Sequence, residues 1–155
     1  MNTLFKRLFC FLCVTVLSTA LFAQQKVTEK FKKPVVTVTL GIHQNGDSIN
    51  KETAKFLLAL PLKITDNKKV EYKIENYRFL YRKKSFIQNQ ETGKLEETFT
   101  ISAGSFTETP LPKIWIENVG YQLQKGEEFY FFDILLNDKE GNRFLAPNFK
   151  LFITR

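Results

Sequence analysis

The chain has 155 residues, a net charge of +7 and 43% apolar residues including 16 Phe, enough for one domain with a real core. Taking Lys6 and Arg7 from the 23 basic side chains leaves 21 against 16 acidic, about +5. This is a modest excess that reads as a solvated basic surface and not as a nucleic-acid site. Both Cys residues, Cys10 and Cys13, lie in the first apolar run. A chain cleaved after that run has no disulfide, no thiolate nucleophile and no Cys-bound metal.

The first element is a secretory signal peptide over 1–23. Lys6 and Arg7 supply the positive start, Leu8–Ala23 the apolar run, and Ala23 before Gln24 the small-residue cleavage site. Retention of the run as an N-terminal anchor is the rival reading, but it is short for a span of about 20 residues. Residues 24–33 are polar and basic and read as a flexible lead-in. Residues 34–155 are expected to form a single domain.

Within that domain, "PVVTVTLGIHQ" (Pro34–Gln44) is rich in β-branched residues and predicts a strand. After the turn Asn45–Ser48, Asn50 is placed to cap a short helix carrying Ala54, Leu57 and Leu58, ended near Pro61. Leu60, Leu62 and Ile64 then alternate as in a strand. In "VEYKIENYRFLYRKKSFI" (Val70–Ile87), Val70, Tyr72 and Ile74 alternate in one phase and Tyr77, Phe79 and Tyr81 in the other. One extra residue near Glu75–Asn76, a β-bulge, would give them a common face, and a loop between two strands would serve equally well. The turn Asn89–Lys94 leads to Leu95–Ser102, which makes a natural hairpin with the Phe79 strand.

Thr109–Gly120 fits a helix capped by Thr109 with Pro110 at its first position, or a strand through Ile114 and Ile116; a short helix or irregular cover is favoured. Gly126–Asn137 is apolar on both sides, the mark of a central strand or one covered on its outer face. Phe149, Leu151 and Ile153 alternate to the C-terminus. The sum is an all-β fold, mainly an antiparallel β-sandwich of immunoglobulin-like type, with one or two short helices.

Chemistry-bearing groups are sparse. His43 is the only His and cannot build a multi-His metal site. Glu96 and Glu97 are adjacent, as are Glu127 and Glu128, so in a strand each pair points to opposite faces. Asp133 is the one carboxylate inside an apolar run, on the face of Phe129 and Phe131. It reads as a backbone anchor at a bulge or strand end in preference to a catalytic acid. "NDKEGNR" (Asn137–Arg143) lacks the calcium-loop spacing and reads as a hairpin turn with Gly141 at positive φ. There is no phosphate-cradling Gly loop and no GxSxG. No catalytic residue, metal or cofactor is expected.

The order of pieces resembles the C-terminal domain of the GldM/PorM gliding-motility and type IX secretion family of Bacteroidota. The matching stretches are "LGIHQNGDSINKETAKFLLA" (Leu40–Ala59, with Gly46, Ser48, Ile49 and Lys51), "YKIENYRFLY" (Tyr72–Tyr81), "SAGSFT" (Ser102–Thr107) and "KGEEFYFFDILLNDKEGNRFL" (Lys125–Leu145). The signal end "LFAQQ" also looks like signals of that phylum. The resemblance implies a periplasmic β-sandwich-like domain that docks envelope partners without catalysis. Family members carry a transmembrane helix and further periplasmic domains ahead of this module. Here only a signal peptide is expected, so the chain would not carry force from an inner-membrane motor. Thr109–Gln124 is longer and more aromatic than the family's short helix.

The expected function is a non-enzymatic, exported envelope module that binds secretion-machinery proteins, with no nucleic acid and no span left after cleavage; a homo-oligomer is left open. The docking residues expected are Tyr77, Arg78, Tyr81 and Arg82, with Trp115 and Tyr121. The alternative is a binder of envelope glycan or anionic lipopolysaccharide through Tyr and Lys/Arg.

Overall fold

A computed structural model describes residues 31–154. The expected signal peptide, both Cys residues and the expected lead-in before Phe31 lie outside the described residues. From Lys33 onward the chain forms one compact unit.

Its elements are β1 (Val36–Leu40), β2 (Ser48–Ile49), α1 (Lys51–Leu58), β3 (Leu62–Asp66), β4 (Lys73–Gln88), β5 (Leu95–Phe106), α2 (Lys113–Gln122), β6 (Glu128–Asn137), β7 (Arg143–Leu145) and β8 (Phe149–Ile153). β1 and β3 form a two-stranded sheet. The larger sheet runs β2-β8-β6-β4-β5, with β7 also paired to β6. All strand pairings are antiparallel except β2 with β8. The fold is therefore all-β with two short helices, in two layers. The second layer is narrower than a full sheet: the β1–β3 pair shares it with α1 and α2, and one core joins them to the larger sheet's inner face.

Local sequence explains the helices. The Asn50 side chain accepts from the Thr53 N–H at 2.7 Å, and α1 buries Ala54, Leu57 and Leu58 as the spacing predicts. α2 begins after Pro112 with no side-chain cap, later than expected. The Thr109 hydroxyl is engaged elsewhere, accepting from the Leu62 N–H at 2.8 Å.

Two bulges shape the sheet. Glu75 is the extra residue on β4 between Ile74 and Asn76, so Ile74, Tyr77, Phe79 and Tyr81 all face the core, as the phase change predicts. A second register shift lies opposite, on β6, where Asp133 adopts φ +49. It flips the phase of β6: Phe129, Phe131, Ile134 and Leu136 are buried, while Asp133 turns outward. The expectation that Asp133 shares the face of Phe129 and Phe131 as a backbone anchor is thus overturned, because the bulge falls on Asp133 itself. Its carboxylate is 60% exposed and stands 3.6 Å from Arg78.

The Asn137–Arg143 stretch is a hairpin turn, with Gly141 at φ +85. Asp138 accepts from the backbone N–H groups of Glu140 and Asn142 and from the Asn142 amide. Those bonds, the Asn142 side chain first, hold its carboxyl below the ordinary range. The carboxylate is satisfied by its own loop.

Candidate functional site

β4 separates the expected docking residues by parity. Tyr77 and Tyr81 point inward and are 1% and 2% exposed, so they are core side chains and take no part in the outer face. The Tyr77 hydroxyl donates to the Glu108 carbonyl at 3.0 Å, and burial pushes its pKa up to about 12. The Tyr81 hydroxyl donates to Glu127. Burial first, then the bond to Glu127 and its charge, raise the Tyr81 pKa well above the ordinary value.

Arg78 and Arg82 lie on the outer face, together as expected, but neither is unpaired. Arg78 meets Asp133 and stacks over Phe132 at 4.9 Å. Arg82 meets Glu128 at 2.8 Å and lies 3.5 Å over Phe99. Lys150 reaches Glu128 at 3.3 Å and sits over Tyr130 and Phe152; Lys84 pairs with Glu97. The outer face is therefore a lattice of cations laid flat on rings, each already facing a carboxylate. It covers β6's outward aromatics, and its charge is largely compensated within the sheet.

Glu127 is the buried carboxylate that sequence reasoning missed, since nothing distinguishes it from Glu128 except its strand phase. It is 0% exposed. It accepts from Tyr81, from the Lys84 N–H at 3.0 Å and from the Gln124 N–H at 2.7 Å. Its position explains the need. β6 pairs with β4 only as far as Arg82–Glu128, whereas β4 continues to Gln88. At the fork the Lys84 N–H has lost its strand partner, and the Glu127 side chain stands in for a backbone carbonyl.

Beyond that fork β4 and β5 continue as a two-stranded arm, closed by the Asn89–Lys94 turn. Along its full 12 residues β5 pairs with β4 in unbroken register and with no other strand. Among the described residues no strand pairs with its other edge, which is therefore bare. The central run Thr98–Ser105 contains no charge and no Pro, and Ile101 is 61% exposed. Protected edges usually carry Lys, Pro or a bulge, and this one lacks all three there.

Beside that edge is a cleft of about 370 Å³, lined by Tyr81, Ser102, Trp115, Val119 and the α2 row Ile114, Asn118 and Gln122. Trp115 packs edge-on against Phe79 and Phe106 at centroid distances of 6.0 and 5.3 Å. Its close approach to β5 depends on Gly104, where a Cβ would fall 2.9 Å from the indole and 2.8 Å from the Phe106 ring. Of the six expected residues, the structure brings Tyr81 and Trp115 to one cleft. Tyr121 is 90% exposed on α2. The i, i+4, i+8 spacing of Ile114, Asn118 and Gln122 is the signal by which the cleft wall could have been found.

No protein-family model matches the chain, and no curated protein matches it either. Among the described residues no group of three or more His, Cys, Asp or Glu could hold a metal ion. No helix among them is long and apolar enough to cross a membrane.

Proposed function

We propose that this is a non-enzymatic protein-binding module of the cell envelope. It is exported by its N-terminal signal to the periplasm or cell envelope of a Gram-negative bacterium. There it serves the type IX secretion or gliding machinery as an accessory or paralogue of the GldM/PorM component it resembles. The observation that carries the binding reading is the bare edge of β5. An unbulged strand of 12 residues, uncharged over Thr98–Ser105 and flanked by a cleft, is built to accept one more strand. Backbone hydrogen bonds would supply affinity, and side chains on alternate positions specificity.

The rival glycan reading has less behind it. Tyr77 and Tyr81 are interior, and Arg78 and Arg82 already face Asp133 and Glu128. An anion would have to displace those carboxylates.

The test is site-specific photo-cross-linking in cells. A photoreactive residue at Ile101, on the bare edge, should give an adduct with a component of the secretion or gliding machinery, and the same residue at Lys139, in the β6–β7 turn, should not. Equal labelling at both positions, or none at Ile101, would overturn the edge as the docking element.

A further inference from the structure

We infer that the cleft beside Ser102 is a side-chain pocket for the docked segment. The segment would carry a neutral aromatic residue in that pocket and a basic residue six positions away on the same face. This rests on the β5 edge being the docking element.

The geometry follows from strand periodicity. Inner-face positions on β5 are Glu96, Thr98, Thr100, Ser102, Gly104 and Phe106, paired in unbroken register with the inner face of β4. A strand added to the bare edge lies about 4.8 Å away and sets its inner-face Cβ atoms about 5 Å from these. Beside Gly104 the Trp115 ring already occupies the inner face. Beside Ser102 lies the cleft, roomy because Ser102 is small.

None of the seven lining residues is Asp, Glu, Lys or Arg. A basic side chain would be repelled by the Lys83 ammonium, which donates to Gln122 Oε1 at 2.6 Å, and a small or acidic one would leave Trp115, Ile114 and Val119 wet. An aromatic side chain fills the volume. If it is Tyr, its hydroxyl meets the Asn118 amide.

Six residues along the same face is Glu96. Its carboxylate accepts from the Asn89 amide at 2.7 Å and, among the described residues, forms no ion pair. Its neighbour Glu97, on the outer face, is neutralised by Lys84. The edge thus offers one uncompensated negative charge, at one end of an uncharged run, on the same face as the pocket. Thr98 and Thr100 between them call only for small or β-branched partners. The spacing holds for parallel and antiparallel docking alike.

The experiment measures binding of short synthetic Thr/Val peptides to the mature protein by fluorescence anisotropy. The reference peptide carries Tyr and Lys six positions apart. It should bind at least about tenfold more tightly than versions with Tyr replaced by Ser or with Lys moved one position, to the other face. Ser102→Phe, which fills the pocket, and Asn118→Trp, which narrows it from the helix side, should each remove the preference for Tyr. Glu96→Lys should remove the preference for Lys. Equal affinity for every pattern, still lost on Ile101→Lys with Ala103→Lys, would overturn the pocket and leave the edge standing. Binding that survives those two Lys substitutions would overturn the edge as well. Absence of binding by every peptide would overturn the pocket inference. So would a dimer of the free protein dissolved by the same two substitutions, since a second copy would then be the occupant.

Discussion

Removing the Glu127 carboxylate should cost more than any other single polar change in this domain. In Glu127→Ala, the Tyr81 hydroxyl and the Lys84 and Gln124 N–H groups lose their acceptor together. A buried donor left unpaired costs about 1–3 kcal/mol. Water entering from the adjacent cleft relieves part of this, which places the loss at about 3–6 kcal/mol against a total stability of about 5–15. Glu127→Gln is the sharper probe because it keeps the shape. One carboxylate oxygen serves Lys84, and the other serves Tyr81 and Gln124. In either amide orientation the new NH2 faces a donor that cannot turn, leaving one N–H orphaned, a cost of about 1–3 kcal/mol. Urea unfolding read by the fluorescence of Trp115, the single Trp, should show a midpoint lowered by about 1 M for a 2 kcal/mol loss. Amide exchange at Lys84 should accelerate in parallel. Glu128→Gln keeps an oxygen acceptor for its half-exposed partners Arg82 and Lys150 and should cost less than Glu127→Gln, about 1 kcal/mol. If Glu127→Gln unfolds within about 0.5 kcal/mol of the parent and Lys84 exchange is unchanged, the carboxylate does not hold the fork.

Alkaline stability should follow Tyr77 and Tyr81, whose folded pKa values are both raised. Up to pH ~10 both states keep these protons. Above it the unfolded chain releases them first and stability falls by about 1.4 kcal/mol per pH unit per tyrosine. Tyr77→Phe should remove one tyrosine's share of that slope in urea titrations between pH ~10 and ~12, and a pH-independent midpoint there would contradict the burial of both hydroxyls. Gly104→Ala places a methyl against Trp115 and Phe106 and should cost about 1–3 kcal/mol with a shifted Trp emission, whereas Gly46→Ala, which meets no neighbour, should leave the emission in place. At Asp133, φ +49 makes Asp133→Gly neutral or slightly stabilising and Asp133→Val destabilising by about 1–2 kcal/mol in thermal unfolding. The reverse order would mean that the bulge is absent in solution.

Much of the β framework was readable because period-two patterns report burial directly. The Glu75 bulge showed as a phase change between Ile74 and Tyr77, since both flanks were apolar, although a loop between two strands would have left the same pattern. The Asp133 bulge left no such trace. β6 is apolar on both faces, so a phase flip moves one hydrophobe for another and the pattern stays silent. The same logic explains the docking residues. Tyr and Arg alternating on one strand must occupy opposite faces, and the bulge that made Tyr77, Phe79 and Tyr81 a core row placed Arg78 and Arg82 outside it. Whether those cations were free was not legible, because their partners Asp133 and Glu128 come from a strand some fifty residues on. The cleft joins β5 to α2 across a chain reversal and depends on Gly104 being small, a property visible only once Trp115 is placed against it.

The fork at Glu127 also divides the sheet in time. On the body side, β4 is held between two strands over a packed core. On the arm side, each residue from Lys83 to Gln88 has one strand partner and little beneath it. Backbone opening there needs only local free energy, while opening the body needs most of the global value. A slow-exchanging body joined to a fast-exchanging ribbon is the expected hydrogen-exchange map, with the boundary at Lys84. A segment pairing along β5 would cross that boundary and bring the ribbon into the body's cooperative unit. Part of its binding free energy would then be used to still the arm, and slower exchange at Ser85–Gln88, remote from the pocket, would register the bound state.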